Sequence, residues 1–144
     1  MNKKKLFIID GNSLCYRAYY AIKKLSTSGG RPTNAVYGFI SMFRKIIDKE
    51  HPDYLAVAFD MKGPTFRHKI SSEYKINRRP MPEELIGQIP VIKDVIRAYN
   101  TVLFEKEGFE ADDILATIVD KVKSPELEIY IVTTDKDMLQ LVDD

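Results

Sequence analysis

The sequence predicts an α/β fold with a mainly parallel sheet and flanking helices. Two observations carry this. Short apolar runs alternate with longer segments whose apolar residues recur at helical spacing. In addition, at least one acid follows the end of every predicted strand. In an open parallel sheet that is the carboxyl edge, where such folds place their binding sites.

Residues 5–9 read as a short buried strand closed by Asp10-Gly11. Residues 14–25 read as a helix, ended by the loop Ser26-Thr27-Ser28-Gly29-Gly30-Arg31-Pro32. Thr33 or Asn34 is expected to cap the next helix, whose apolar face is Val36, Phe39, Ile40, Phe43, Ile46 and Ile47. His51-Pro52-Asp53 is a turn, and residues 54–59 form a second strand ending at Asp60. Residues 61–82 keep no clear period and hold Pro64, Pro80 and Pro82. Helical spacing returns over 83–99 through Leu85, Ile86, Ile89, Ile92, Val95 and Ile96, and Pro90 should kink or split that helix. A third strand over 101–104 precedes a helix over 111–122, with Ile114, Leu115, Ile118, Val119 and Val122 on one face. Residues 128–133 are a fourth strand, and 136–141 start another helix.

The 144 residues suit one domain, and a hydrophobic share of 44% is ample for one core. The apolar run at residues 6–9 is too short for a signal-peptide core or a membrane span, so a cytoplasmic protein without membrane association is expected. Cys15 is the sole cysteine, which rules out an internal disulfide and reads as a small buried residue. The net charge is only +1, but the charges are segregated. Lys62, Arg67, Lys69, Lys75, Arg78 and Arg79 face the single acid Glu73, whereas residues 105–144 hold twelve acids and four bases. Such a pattern suits either two solvated faces or a polyanion and metal ions held by one protein.

The acids are Asp10 after the first strand, Asp60 after the second, Glu110, Asp112 and Asp113 after the third, and Asp135 and Asp137 after the fourth. Singly, each has a structural explanation: a turn residue, a helix cap, or an acid at a helix amino terminus. Together, carboxylates converging from four strand ends repel one another unless protons or cations intervene. Mg²⁺ prefers carboxylate and water oxygens, and two such ions can promote phosphodiester cleavage. There is no Cys/His grouping for zinc and no Gly-Lys-Ser/Thr phosphate loop, and His51 and His68 suggest no Ser-His-Asp triad.

The segments Phe7-Ile8-Ile9-Asp10-Gly11-Asn12-Ser13, Tyr16-Arg17, Ala35-Val36-Tyr37-Gly38-Phe39, Phe59-Asp60, Phe66-Arg67-His68, Tyr74-Lys75, Gly108-Phe109-Glu110-Ala111-Asp112-Asp113 and Thr134-Asp135-Lys136-Asp137 occur in this order. In them the chain resembles the 5′ nuclease domain of bacterial DNA polymerase I, and more distantly phage 5′ nucleases and flap endonucleases. The resemblance implies a PIN-like (Rossmann-like) core over residues 1–144 with two divalent ions, Mg²⁺ or Mn²⁺. It implies 5′-3′ exonuclease or 5′-flap endonuclease action on DNA, and on RNA primers, in replication and repair. Asp10, Asp60, Glu110 and Asp112 would lie nearest the scissile phosphate, with Asp113, Asp135 and Asp137 nearer the second ion. Residues 61–82 would correspond to the family's arch, where Lys75 and Arg78 match phosphate clamps and Arg67, Lys69 and Arg79 are weaker candidates. Arg17 would be a further phosphate contact. Tyr16, Tyr19 and Tyr74 could stack on bases, although their spacing equally suits burial.

Family domains are longer than this chain. By resemblance, the last metal-binding acids, a helix–turn–helix-like element, a fifth strand and a polymerase domain are expected beyond the equivalent of Asp144, and the chain alone is expected to cleave poorly. Two alternatives stand beside the nuclease: a catalytically incompetent fragment that only binds nucleic acid or protein, and a PIN-type ribonuclease. The basic arch stretch and Thr134-Asp135-Lys136-Asp137 argue against the second.

Overall fold

The computed structural model describes residues 2–61 and 80–142. Among them, four strands form one parallel sheet in the order β3-β2-β1-β4: β1 (Lys4–Asp10), β2 (Tyr54–Phe59), β3 (Val102–Glu105) and β4 (Leu127–Val132). Ile9 lies opposite Val57 on one side and Val132 on the other. The chain steps outward from β1 to β2 and β3, then returns past β1 to lay down β4. The strand order therefore reverses between β1 and β4, the kind of place where open parallel sheets form their clefts.

The side-chain alternation of β1 and β2 feeds two apolar layers. Ile9, Val57 and Phe59 pack with α1 (Gly11–Ala21), α2 (Asn34–Glu50), α3 (Glu83–Ile86) and α4 (Ile89–Ala98). Leu6, Ile8 and Ala58 pack on the other face with Ala111 and Leu115 of α5 (Ala111–Val122) and Met138 of the 3₁₀ helix Lys136–Leu141. Cys15 is wholly buried in the first layer.

The expected helix over 83–99 is divided, and Pro90 sits in the first turn of α4, where its missing N–H costs no helical bond. α1 starts three residues earlier than the apolar spacing indicates, because Asp10 ends the strand and also caps the helix. The expectation for α2 needs correction. Neither Thr33 nor Asn34 caps it through its side chain. Instead Gln88 Oε1 accepts from Ala35 N at 2.8 Å and Val36 N at 3.1 Å. Asn34 turns inward and donates to the carbonyls of Tyr19 and Ile22 at the end of α1. Gln88 Nε2 then donates to Asn34 Oδ1 and to the Glu84 carbonyl. One buried amide pair thus ties the ends of α1, α2 and α3 together.

Candidate metal centre at the carboxyl edge of the sheet

Because the strands are parallel, the residues that follow them share one edge. Asp10 ends β1 and lies 6% exposed as the cap of α1. Its Oδ2 accepts from Ser13 Oγ at 2.7 Å and Thr133 Oγ1 at 2.9 Å. Its Oδ1 accepts from Ser13 N at 3.3 Å. Gly11 is buried beneath the Phe59 ring, and a β-carbon there would lie 2.7 Å from that ring. The missing side chain lets the first turn of α1 settle against the end of β2. Asn12 Oδ1 then accepts from Asp60 N at 2.8 Å, so α1 fixes the backbone of the second acid.

The third strand reaches its acids through a turn at residues 106–109, in which Gly108 adopts φ +82. Glu110 occupies the cap position of α5, the Asp113 carboxylate accepts from Glu110 N at 3.1 Å, and Asp113 N donates to Asp112 Oδ1 at 2.9 Å. Asp60 Oδ1 accepts from Ala111 N in the same helical turn. Glu110, Asp112 and Asp113 each offer a carboxylate oxygen, and these oxygens lie within 4.8 Å of one another. The positive end of α5 offsets part of their repulsion. Three carboxylate oxygens at that spacing are hard donors that could hold a divalent cation.

After β4, Asp135 N donates to Thr133 Oγ1 at 3.0 Å, and Asp135 caps the 3₁₀ helix by accepting from Asp137 N at 2.9 Å. Asp137 is exposed. Asp113, the third residue of α5, turns its side chain back over the helix start and lies with Glu110 and Asp112. Burial pushes the Cys15 thiol up to about 12, with the Asp10 charge adding to the effect and Lys93 opposing it.

Arg17 is exposed one helical turn beyond Ser13, on the same side of α1. Tyr16 and Tyr19 pack against the core, as their spacing allowed. Arg67, Lys69, Tyr74, Lys75, Arg78 and Arg79, and with them most of the expected arch, lie outside the described residues. Sequence reasoning missed Asn12, Ser13 and Thr133 as site residues. Ser13 was findable as the third helical residue after an aspartate cap, whose carboxylate takes up that backbone N–H.

Architecture and edge chemistry together define an α/β domain whose parallel sheet gathers acids at its carboxyl edge. The chain belongs to the family described as 5′-3′ exonuclease, N-terminal resolvase-like domain, which it matches over residues 5–144. It is 48% identical over 139 residues to DNA polymerase I of Caldicellulosiruptor bescii, covering 96% of this chain and 16% of that protein. It is 45% identical to the 5′-3′ exonuclease of Aquifex aeolicus, covering 96% of this chain and 48% of that one. Similar folds include the T5 D15 protein co-crystallised with metal ions, at TM-score 0.74 and 24% identity over 98% of this chain and 53% of that one. Another is the bacteriophage T5 D15 flap endonuclease in a pseudo-enzyme-product complex with DNA and metal ions, at TM-score 0.68 and 23% identity over 98% of this chain and 53% of that one. At these identities the two structures speak for the fold. Among the described residues, no helix is long and apolar enough to cross a membrane.

Proposed function

We propose that this chain is the metal-binding core of a structure-specific 5′ nuclease that hydrolyses phosphodiesters at DNA 5′ ends and flaps. The observation that carries the reading is the Glu110-Asp112-Asp113 oxygen cluster at the carboxyl edge, in a chain of the 5′-3′ exonuclease family. Glu110, Asp112 and Asp113 would hold one divalent ion, with Asp60 beside them on the Ala111 amide. Asp10, Asp135 and Asp137 complete the proposed ligand set around a second position. Mg²⁺ or Mn²⁺ bound there would supply the charge neutralisation and Lewis acidity that phosphodiester hydrolysis needs.

The chain's own residues orient those oxygens. Asn12 holds Asp60 by its backbone, the Glu110–Asp113 capping pair fixes the start of α5, and Ser13 with Thr133 holds Asp10. Arg17, Arg67, Lys75 and Arg78 are proposed to contact phosphates, and Tyr74 to stack on a base of the entering strand. RNA primers as substrates, a cytoplasmic location, and a polymerase domain in the same polypeptide belong to the same proposal. They are supported by likeness to relatives named DNA polymerase I.

The test is incubation with 5′-flap DNA in Mg²⁺ or Mn²⁺. Metal-dependent cuts near the junction that vanish in Asp112→Asn support the nuclease. DNA binding without cleavage, both in this chain and in one extended beyond Asp144, favours a binding-only domain, and cleavage confined to RNA favours a PIN-type ribonuclease.

A further inference from the structure

We infer that Thr133 and Ser13 are positioning residues that make Asp10 a one-oxygen metal ligand and couple it to the Asp135 segment; the inference rests on the nuclease reading. A carboxylate oxygen has room for about two good hydrogen bonds in its plane. Asp10 Oδ2 receives two short ones, from Ser13 Oγ at 2.7 Å and Thr133 Oγ1 at 2.9 Å. The two hydroxyl oxygens are themselves 3.3 Å apart. Oδ2 is thereby committed to protein donors. Oδ1 carries only the 3.3 Å bond from Ser13 N among the described residues and remains the oxygen for a cation.

Thr133 does more than donate. A hydroxyl has one proton and two acceptor positions. Thr133 gives its proton to Asp10 and accepts from Asp135 N at 3.0 Å. Thr133 directly follows β4, and Asp10 ends β1 beside it in the sheet, so this single oxygen spans the point where strand order reverses. Displacing it releases the Asp10 carboxylate and the approach of Asp135 together. A valine of nearly the same shape removes the hydroxyl and leaves the packing.

The experiment titrates Mn²⁺ into the chain by calorimetry, with metal-free thermal unfolding measured in parallel. Partners that orient a metal ligand are typically worth 10- to 100-fold in affinity, so Thr133→Val should weaken Mn²⁺ binding by roughly tenfold or more. Thr133→Ser, which keeps the oxygen, should recover most of the loss, a recovery that mere packing would not give. Ser13→Ala should weaken binding in the same direction, and it decides the matter if Thr133→Val does not fold. Wild-type affinity in both hydroxyl-free variants overturns the positioning role while the metal site stands. Absence of Mn²⁺ binding to the folded wild type overturns the nuclease reading and this inference with it.

Discussion

Gln88 offers the sharpest test of how the helices are held. It is 3% exposed and makes four hydrogen bonds: two from the first turn of α2, one to Asn34 Oδ1 and one to the Glu84 carbonyl. Gln88→Met keeps the side-chain length and removes all four. Glu84 is exposed, so its carbonyl can turn to water and loses little. Ala35 is wholly buried, so its N–H finds no water, and Asn34 Oδ1 loses its donor in the same pocket. Unsatisfied buried polar groups cost about 1–3 kcal/mol each, and a lost helix cap about 1 kcal/mol. The loss should therefore total about 3 kcal/mol, a large share of the 5–15 kcal/mol typical of a domain. Urea unfolding is the assay, and the midpoint should fall with the slope unchanged. A loss under about 1 kcal/mol would mean that α2 does not depend on this amide for its cap, and would refute the reasoning.

Three further outcomes are expected, two from the structure and one from the basic stretch of the sequence. A β-carbon on Gly38 would lie 2.8 Å from Ala18 Cβ and 3.1 Å from Ala18 Cα, so Gly38→Ala should force α1 and α2 apart. The expected net loss is about 1–2 kcal/mol after the helix propensity gained, and adding Ala18→Gly in a double-mutant cycle should return part of it. Burial raises the Cys15 thiol from 9.0 to about 12, so its contribution to stability is intact below pH 9 and lost as pH climbs toward 12. Between roughly pH 8 and pH 10 the wild type should lose about 1 kcal/mol more than Cys15→Ala in denaturant titrations, and parallel curves would contradict the burial effect. Changing both Lys75 and Arg78 to alanine should lower affinity for 5′-flap DNA and reduce the slope of log affinity against log salt by about 2, as for two phosphate contacts; an unchanged slope removes them from the DNA interface.

Much of the architecture was written in local patterns. The strand over 54–59 and the helix over 111–122 have the bounds their apolar spacing indicates. Pro90 divides its helix because the missing N–H and fixed φ fit only a first turn. What was less visible depends on side-chain direction or on distant partners. Asp10 reads as the end of a strand, yet its carboxylate also begins a helix. Gln88 caps a helix that starts more than fifty residues earlier, which no local propensity encodes. The order of the acids along the chain was legible, and a parallel sheet brings them to one edge. Which of them bring their oxygens together depended on rotamers: Asp113 folds back toward Glu110, and Thr133, an ordinary strand-end residue by composition, becomes the link between Asp10 and Asp135.

The carboxyl edge is proposed to hold divalent cations, and Mn²⁺-dependent thermal unfolding tests this most directly. Ions that bind only the folded chain stabilise it by mass action, by about 2.7 kcal/mol at a hundred times their dissociation constant. The account predicts a midpoint that climbs with Mn²⁺ and Mg²⁺ in the wild type and climbs much less in Asp112→Asn, whose neighbours Glu110 and Asp113 share its oxygen cluster. A midpoint that ignores both the metal and the substitution would contradict it.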